Sequence, residues 1–392
     1  MPELSKKTAC FTDSVIRRMT RIANRYNAIN LSQGFPDFDP PQKLKEALKT
    51  AAGGSLHQYA VTWGAQNFRE ALARKQSKYM GIDIDPETQI VVTCGSTEAM
   101  MAAILTVTNP GDKVIVFSPF YENYGADAIL SGAEPVYVHL KPPYFNFDIN
   151  ELEEAFKQHP KALILCNPSN PTGKVFTRDE LQVIADFAIK YDVFVITDEV
   201  YEHIVYKPYK HIYFASLPGV ADRTISCSSL SKTYSITGWR LGYVIAPPAI
   251  TEHIRKVHDF LTVGAAAPLQ EAAVTALNFE DEYYEELTLH YTEKKDFFLQ
   301  GLDRLQLKYT VPQGAYYVMV DISEFDVTDD VKFCEWLARE VGVAAVPGSG
   351  FFKSDTQHFI RFHFAKNIET LKEAFVRLKD LRIKAKGKPW EK

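Results

Sequence analysis

The stretch Ala162-Leu163-Ile164-Leu165-Cys166-Asn167-Pro168-Ser169-Asn170-Pro171-Thr172-Gly173 decides the fold, read together with Thr177-Arg178-Asp179-Glu180 and Val193-Phe194-Val195-Ile196-Thr197-Asp198-Glu199-Val200-Tyr201. Residues 162–166 and 193–200 are short apolar runs with β-branched side chains, and they read as strands. Between them residues 178–191 carry a helical period, and Thr177 with Glu180 three positions on makes a capping-box start. Outward from this unit the same alternation recurs. Residues 90–94, 113–118, 135–140, 224–228 and 241–246 also read as strands, 98–107 as a helix, and Asp148 with Glu151 resembles a second capping box. Strands alternating with helices imply an α/β fold, a doubly wound, mostly parallel sheet covered on both faces.

After about residue 268 the pattern changes. A charged amphipathic stretch, 280–305, leads to strand-like runs at 316–322 and 358–364 and helical patterns at 329–340 and 368–383. These features predict a smaller α+β domain built from both chain ends, with divisions at 1–45, 46–285 and 286–392; the basic tail 384–392 is expected to fray. A chain of 392 residues suits two or three domains at roughly 100–200 residues each. Its 46% hydrophobic and 24% charged residues are ordinary globular composition. A net charge of −5 argues against a nucleic-acid partner, and no run is apolar enough for a membrane span. Residues 1–26 show no secretory leader pattern. Five cysteines without a CxxC pair point to a reducing, cytoplasmic setting.

Ligands of open parallel sheets bind beyond the carboxyl ends of the strands, so the residues that follow each strand are the informative ones. They are Gly95-Ser96-Thr97, Pro119-Phe120-Tyr121, Asn167 to Gly173, Asp198 to Tyr201, and Ser229-Leu230-Ser231-Lys232 with Arg240 eight residues on. Together they suit a flat, phosphorylated, electron-withdrawing ring. Gly95, Ser96 and Thr97 at a helix start offer N–H groups to a phosphate, although such residues also serve simply as caps. Lys232 stands alone in charge between Arg223 and Arg240. In a partly buried pocket its amine would be neutral and nucleophilic; on a polar turn it would be an ordinary surface lysine. Arg240 begins a strand and is expected on the core side of its mouth, gripping phosphate or a structural carboxylate. Asp198 ends an apolar strand and needs a partner there, either a protonated ring nitrogen or a salt bridge or cap. Glu199 points the other way by alternation, and Tyr201 shares the Asp198 face if the strand continues. Metal chemistry finds no HExxH or paired Cys/His spacing, and Gly173-Lys174-Val175 fails as a Walker loop end.

The run Ser229-Leu230-Ser231-Lys232-Thr233-Tyr234-Ser235-Ile236-Thr237-Gly238-Trp239-Arg240-Leu241-Gly242 resembles the cofactor-lysine signature of class I/II aminotransferases, enzymes of fold type I that use pyridoxal 5'-phosphate. Asn167 to Gly173 and Asp198 to Tyr201 match the family's other motifs in order, and the likeness runs from Leu31-Ser32-Gln33-Gly34-Phe35-Pro36-Asp37 to Phe359-Ile360-Arg361-Phe362. The resemblance implies that Lys232 holds the cofactor covalently as a Schiff base and is the catalytic residue. Asp198 would pair with the ring nitrogen, and Tyr201 and Asn170 would meet the ring oxygen. Tyr121 would stack on one ring face with Val200 on the other. Gly95, Ser96, Thr97, Ser229 and Arg240 would surround the phosphate, joined by Tyr59 of a second subunit in a homodimer. Arg361 would take the substrate carboxylate beside Asn170 and Gly34; alternation puts it on one strand face with Phe359 and His363, and ordinary exposure statistics alone would turn an arginine there to solvent. Ser32 stands where close relatives often have glycine.

The resemblance also implies transfer of an amino group from an L-amino acid to a 2-oxo acid. The segment 33–38 is similar to the branch containing kynurenine, glutamine–phenylpyruvate and methionine aminotransferases. Phe35, Tyr59, Tyr121 and Tyr26 are candidates for an aromatic-lined pocket, which favours aromatic or sulfur amino acids. A dicarboxylic substrate would need a second arginine that spacing does not place. The same scaffold supports a β-lyase, and a non-enzymatic regulator would need a DNA-binding segment that the first 30 or so residues do not provide.

Overall fold

A computed structural model of the chain describes residues 2–391 apart from 12 and 355. Eight strands form its large sheet in the spatial order Ile90–Thr93, Gly242–Ile245, Thr224–Ser229, Phe194–Asp198, Ala162–Cys166, Lys113–Ser118, Glu134–Lys141 and Asn146–Phe147. The five strands from Thr224–Ser229 to Glu134–Lys141 are mutually parallel. Gly242–Ile245 runs antiparallel to both neighbours. The link before it, which carries Lys232, contains no crossover helix that could return the chain for parallel pairing.

Strand alternation divides the core between the two faces. Ile115, Phe117, Leu163, Leu165 and Val195 pack against Leu181, Ile184 and Ala188 of the helix Arg178–Lys190. Their neighbours Val114, Val116, Ile164 and Ile196 meet Ala99, Ala103 and Ile104 of the helix Ser96–Val107, and Tyr124 and Ala128 of the helix Asn123–Ser131. Both halves of the Thr177–Glu180 capping box form. At Ile149–Phe156 only one half does: Asp148 accepts from the Asn150 and Glu151 N–H groups, while the Glu151 carboxylate turns to the backbone and ring of His139.

A second, four-stranded antiparallel sheet has the order Lys308–Tyr309, Tyr317–Asp321, Phe359–His363, Val346–Pro347. The beginning of the chain joins it. Ile29–Asn30 pairs with Val343–Ala344, and Met19 and Leu31 enter the same core as Val318 and Phe362. The expected divisions at 45/46 and 285/286 both fall inside helices. Leu44 of Gln42–Gly53 packs with Phe68 and Leu72 on the large side. The helix Asp281–Arg304 puts Tyr284 in that large-side core and Leu287, Tyr291, Phe298 and Leu302 in the other. The tail is not frayed over its described residues: Trp390 is buried against Phe333 and Trp336. Lys392 lies outside the described residues. Among those residues no helix is long and apolar enough to cross a membrane.

Phe298 is fully buried with its ring against Phe362, Phe364 and Phe375. Phe298→Ala is expected to destabilise the protein by about 3–5 kcal/mol in denaturant titration, because the cavity left behind can close only in part.

Candidate active site

A cavity of about 1020 Å³ opens beyond the carboxyl ends of the parallel strands. From the large sheet it gathers Tyr121, Asn170, Asp198, Val200, Tyr201 and Ser229. The helix start adds Ser96 and Thr97, the loop after Ser229 adds Lys232 and Arg240, and the second unit adds Gly34 and Arg361. Two other residues named from the sequence stand apart. Gly95 is the cap of the helix Ser96–Val107 behind the wall, and Tyr59, 87% exposed, lies outside the cavity. Of the aromatic residues suggested for a side-chain pocket, Phe35 and Tyr121 line it; Tyr26 instead faces Arg18, Arg25 and Glu335 in a separate groove.

Gly95 has φ +87°, a left-handed conformation that suits glycine, and its missing side chain lets the Arg240 guanidinium close over the helix start. Arg240 does not enter the core as expected. It is exposed at the mouth, itself left-handed at φ 54°, and donates to the carbonyls of Thr237 (3.0 Å) and Cys94 (3.5 Å). That conformation precedes the strand and swings the side chain out toward the helix N-terminus. Backbone also meets backbone here: a Cβ on Gly242 would lie 2.6 Å from the Ser96 nitrogen.

Lys232 Nζ donates to the Gly34 carbonyl at 3.3 Å. Burial, and next the positive charge of Arg240, bring its amine down to about 8, with Asp198 opposing. Asp198 is buried; its Oδ2 accepts from Tyr124 Oη at 2.7 Å and its Oδ1 from the Val200 N–H at 3.4 Å. Burial pushes this carboxyl up, while the two hydrogen bonds and the Lys232 charge pull it down. The Val200 contact ends the strand at Asp198, two residues earlier than expected, so Tyr201 reaches the cavity through a turn and not along the strand face. Its phenol hydrogen-bonds Tyr317 Oη at 2.9 Å. Glu199 faces away, 3.6 Å from His211, as alternation requires.

Arg361 is fully buried, contrary to the solvent-facing position that its strand alone suggested. Nη1 donates to Asn170 Oδ1 at 2.6 Å and Nη2 to the Ser32 carbonyl at 2.8 Å, with the rings of Tyr317 and Phe351 at 4.2 and 4.6 Å. Its Nε has no partner among the described residues. Tyr124, Asp127, Tyr317 and Arg17 also line the cavity and were not singled out from the sequence, and Ser231, noted there only as part of a run, joins them. Tyr124 was within reach of pattern reading, three residues after Tyr121; Tyr317 and Arg17 depend on long-range packing.

Residues 26–378 match the family described as aminotransferase class I and II. The chain belongs to this family. It is 38% identical to the methionine aminotransferase of Escherichia coli (strain K12), over 94% of this chain and 96% of that protein. It is 36% identical to kynurenine–oxoglutarate transaminase 3 of Homo sapiens, over 94% and 88%. The N-succinyldiaminopimelate aminotransferase structure from Mycobacterium tuberculosis superposes with a TM-score of 0.94 at 36% identity, covering 97% of this chain and all of that one. This aminotransferase is therefore a pyridoxal-phosphate enzyme of fold type I, as its sequence signature implied.

Two expectations follow for the aminotransferase. In cofactor-free protein, the rate at which an amine reagent modifies Lys232 should rise with pH through an inflexion near 8 and level off above it, where the neutral amine predominates; an inflexion near 10.5 would contradict it. Gly242→Ala should weaken cofactor retention in dialysis, because the new methyl group forces the strand away from the Gly95–Ser96 backbone.

Proposed function

We propose that this aminotransferase transfers the amino group of an aromatic or sulfur-containing L-amino acid to a 2-oxo acid, with Lys232 as the covalent anchor and proton carrier. One observation supports this most directly: a lysine with its amine at about 8 shares a single cavity with a buried carboxylate and a buried arginine. The cavity fits pyridoxal phosphate. Ser231 Oγ is buried on its wall without a partner among the described residues, and the glycine-cleared helix start under Arg240 is shaped for a phosphate. Arg240, Ser96, Thr97 and Ser229 would hold that group, with Gly95 admitting it. Asp198 would face the ring nitrogen, Asn170 and Tyr201 the ring oxygen, and Tyr121 and Val200 the two ring faces.

When bound, the cofactor supplies an electron-withdrawing ring that disperses the charge left at the substrate Cα. The protein does the rest. Arg361, oriented by Asn170 and the Ser32 carbonyl, donates to the α-carboxylate and fixes the Cα over Lys232. The neutral Lys232 amine takes the Cα proton, and returns a proton to Cα when an oxo acid runs the reaction backwards. Phe11, Ile16, Phe35 and Tyr121 give the cavity an apolar side, in keeping with the substrates named for the methionine and kynurenine enzymes. Arg17 supports a dicarboxylic acceptor. Its neighbours Arg18 and Arg21 are paired with Glu335 and Asp13, whereas Arg17 lines the cavity with no ion pair among the described residues.

The working unit in this reading is a homodimer. Tyr59 (87% exposed) and Phe260 (91%) stand with Leu56, Val61 and Val263 on two segments joined by the His258–Thr62 contact, an apolar patch of the kind that partners cover. Tyr59 would then reach the phosphate of the opposite site. Five free cysteines agree with a cytoplasmic setting.

Borohydride reduction of the holoenzyme followed by peptide mapping should label Lys232; a label elsewhere would remove the basis of this reading. Arg361→Ala should lower kcat/KM about tenfold to over a hundredfold for every amino-acid donor, the worth of a charge-assisted hydrogen bond, and a change under twofold would exclude its role. A panel of donors against several 2-oxo acids, read by product identity, tests the substrate class.

A further inference from the structure

Asp127, one of several acids in the cavity wall with no part in the chemistry above, is the most buried of them without a partner for one of its oxygens. Asp127 lies on the helix Asn123–Ser131 three residues after Tyr124, so both side chains leave the same helix face. It is 4% exposed, and its Oδ2 has no hydrogen-bond partner among the described residues. Register defines what that face covers. Cys166, Asp198 and Cys227 are neighbours on three adjacent strands, with their side chains on the side of the sheet against which this helix packs.

The titratable groups around Asp127 are few. The thiols of Cys166 and Cys227 and the phenols of Tyr121, Tyr124 and Tyr137 are all pushed up by burial and stay neutral. Glu98, the one acid on the helix Ser96–Val107, is held by His258. Lys7 reaches only the Leu130 carbonyl at the far end of the helix. Glu122, just before the first turn of the helix, is engaged by the Ser14 hydroxyl and the Val15 N–H, while the Lys232 charge bears on Asp198 and that of Arg240 on Lys232. Asp198 is left as the charge that Asp127 meets. Two carboxyl groups in one water-poor site cannot both ionise without strong repulsion, and such a pair titrates as a unit.

We propose that Asp127 is a positioning residue for the ring-nitrogen end of the cofactor site: it keeps the proton of the Asp127–Asp198 pair, so that this end carries one negative charge, seated on Asp198. Burial and the Asp198 charge push Asp127 up to about 8, in agreement with a neutral acid at pH 7. The inference rests on the reading of Asp198 given above. Once Asp127 ionises, a second negative charge holds positive charge in the cavity more firmly, so cationic groups there lose their protons at higher pH.

Infrared difference spectra of holoenzyme, wild type minus Asp127→Asn at pH 7, are expected to contain the carbonyl stretch of a neutral carboxylic acid. In the wild type this band should fade through a pH of about 8. Followed by the visible absorption of the cofactor, the wild type should show an alkaline inflexion that Asp127→Asn lacks. Absence of the neutral-acid band at pH 7, or superimposable optical titrations, overturns the proposal. If the asparagine variant does not fold, Asp127→Leu takes its place, and a wild-type band that does not change as the pH is raised past that point is equally decisive. An Asp198→Asn holoenzyme with unaltered absorption would overturn the underlying reading of Asp198; altered Asp198→Asn absorption alongside a silent Asp127→Asn overturns this inference alone.

Discussion

A carboxylate shut away from water at the end of a strand must be answered within a few ångströms, and the answer given to Asp198 organises everything near it. Tyr124 reaches it from the helix that covers the sheet, and the Val200 N–H folds back onto it. That second bond stops the strand and turns the chain, which is how Tyr201 comes to face Tyr317 from the smaller sheet. Asp198 is in register with Cys166, where one flanking strand ends, and with Cys227, two residues before the other ends at Ser229, so the loops leaving both strands start close to it. Asn170 and Lys232 ride on those loops. A parallel sheet supplies this alignment without further help, since all its carboxyl ends lie on one edge.

Much of this could be read from residue order. The apolar runs and the Thr177 capping box announced the large sheet and its helices, because buried parallel strands and capped helices leave periods that survive in sequence. Lys232, Asp198 and Asn170 were visible because they follow strands directly. The features that residue order leaves open depend on contacts between distant segments. The strand around Arg361 says which residues share a face but not what covers that face; Asn170, Ser32 and two aromatic rings cover it. Arg240 was placed on the wrong side because a single left-handed residue redirects a side chain without leaving a pattern. Trp390 was assigned to a loose tail because its partners, Phe333 and Trp336, are more than 50 positions away in the chain.

The cavity is assembled from distant parts of the chain. Lys232 follows a strand of the large sheet, Arg361 stands on the small sheet, and Phe11, Ile16 and Phe35 come from the beginning of the chain. Arg361 ties the three together by bonding Asn170 on one side and the Ser32 backbone on the other.

The helix Asp281–Arg304 runs uninterrupted from one hydrophobic core into the next. Such a rod acts as a stiff connection: 24 residues of continuous helix join the core beneath the smaller sheet to that of the large side. For protein engineers the corollary is practical. Chimeras that exchange the carboxyl-terminal portion between related enzymes should be joined beyond this rod or before it, because a seam within it would ask one half of a single rigid element to dock on a foreign partner.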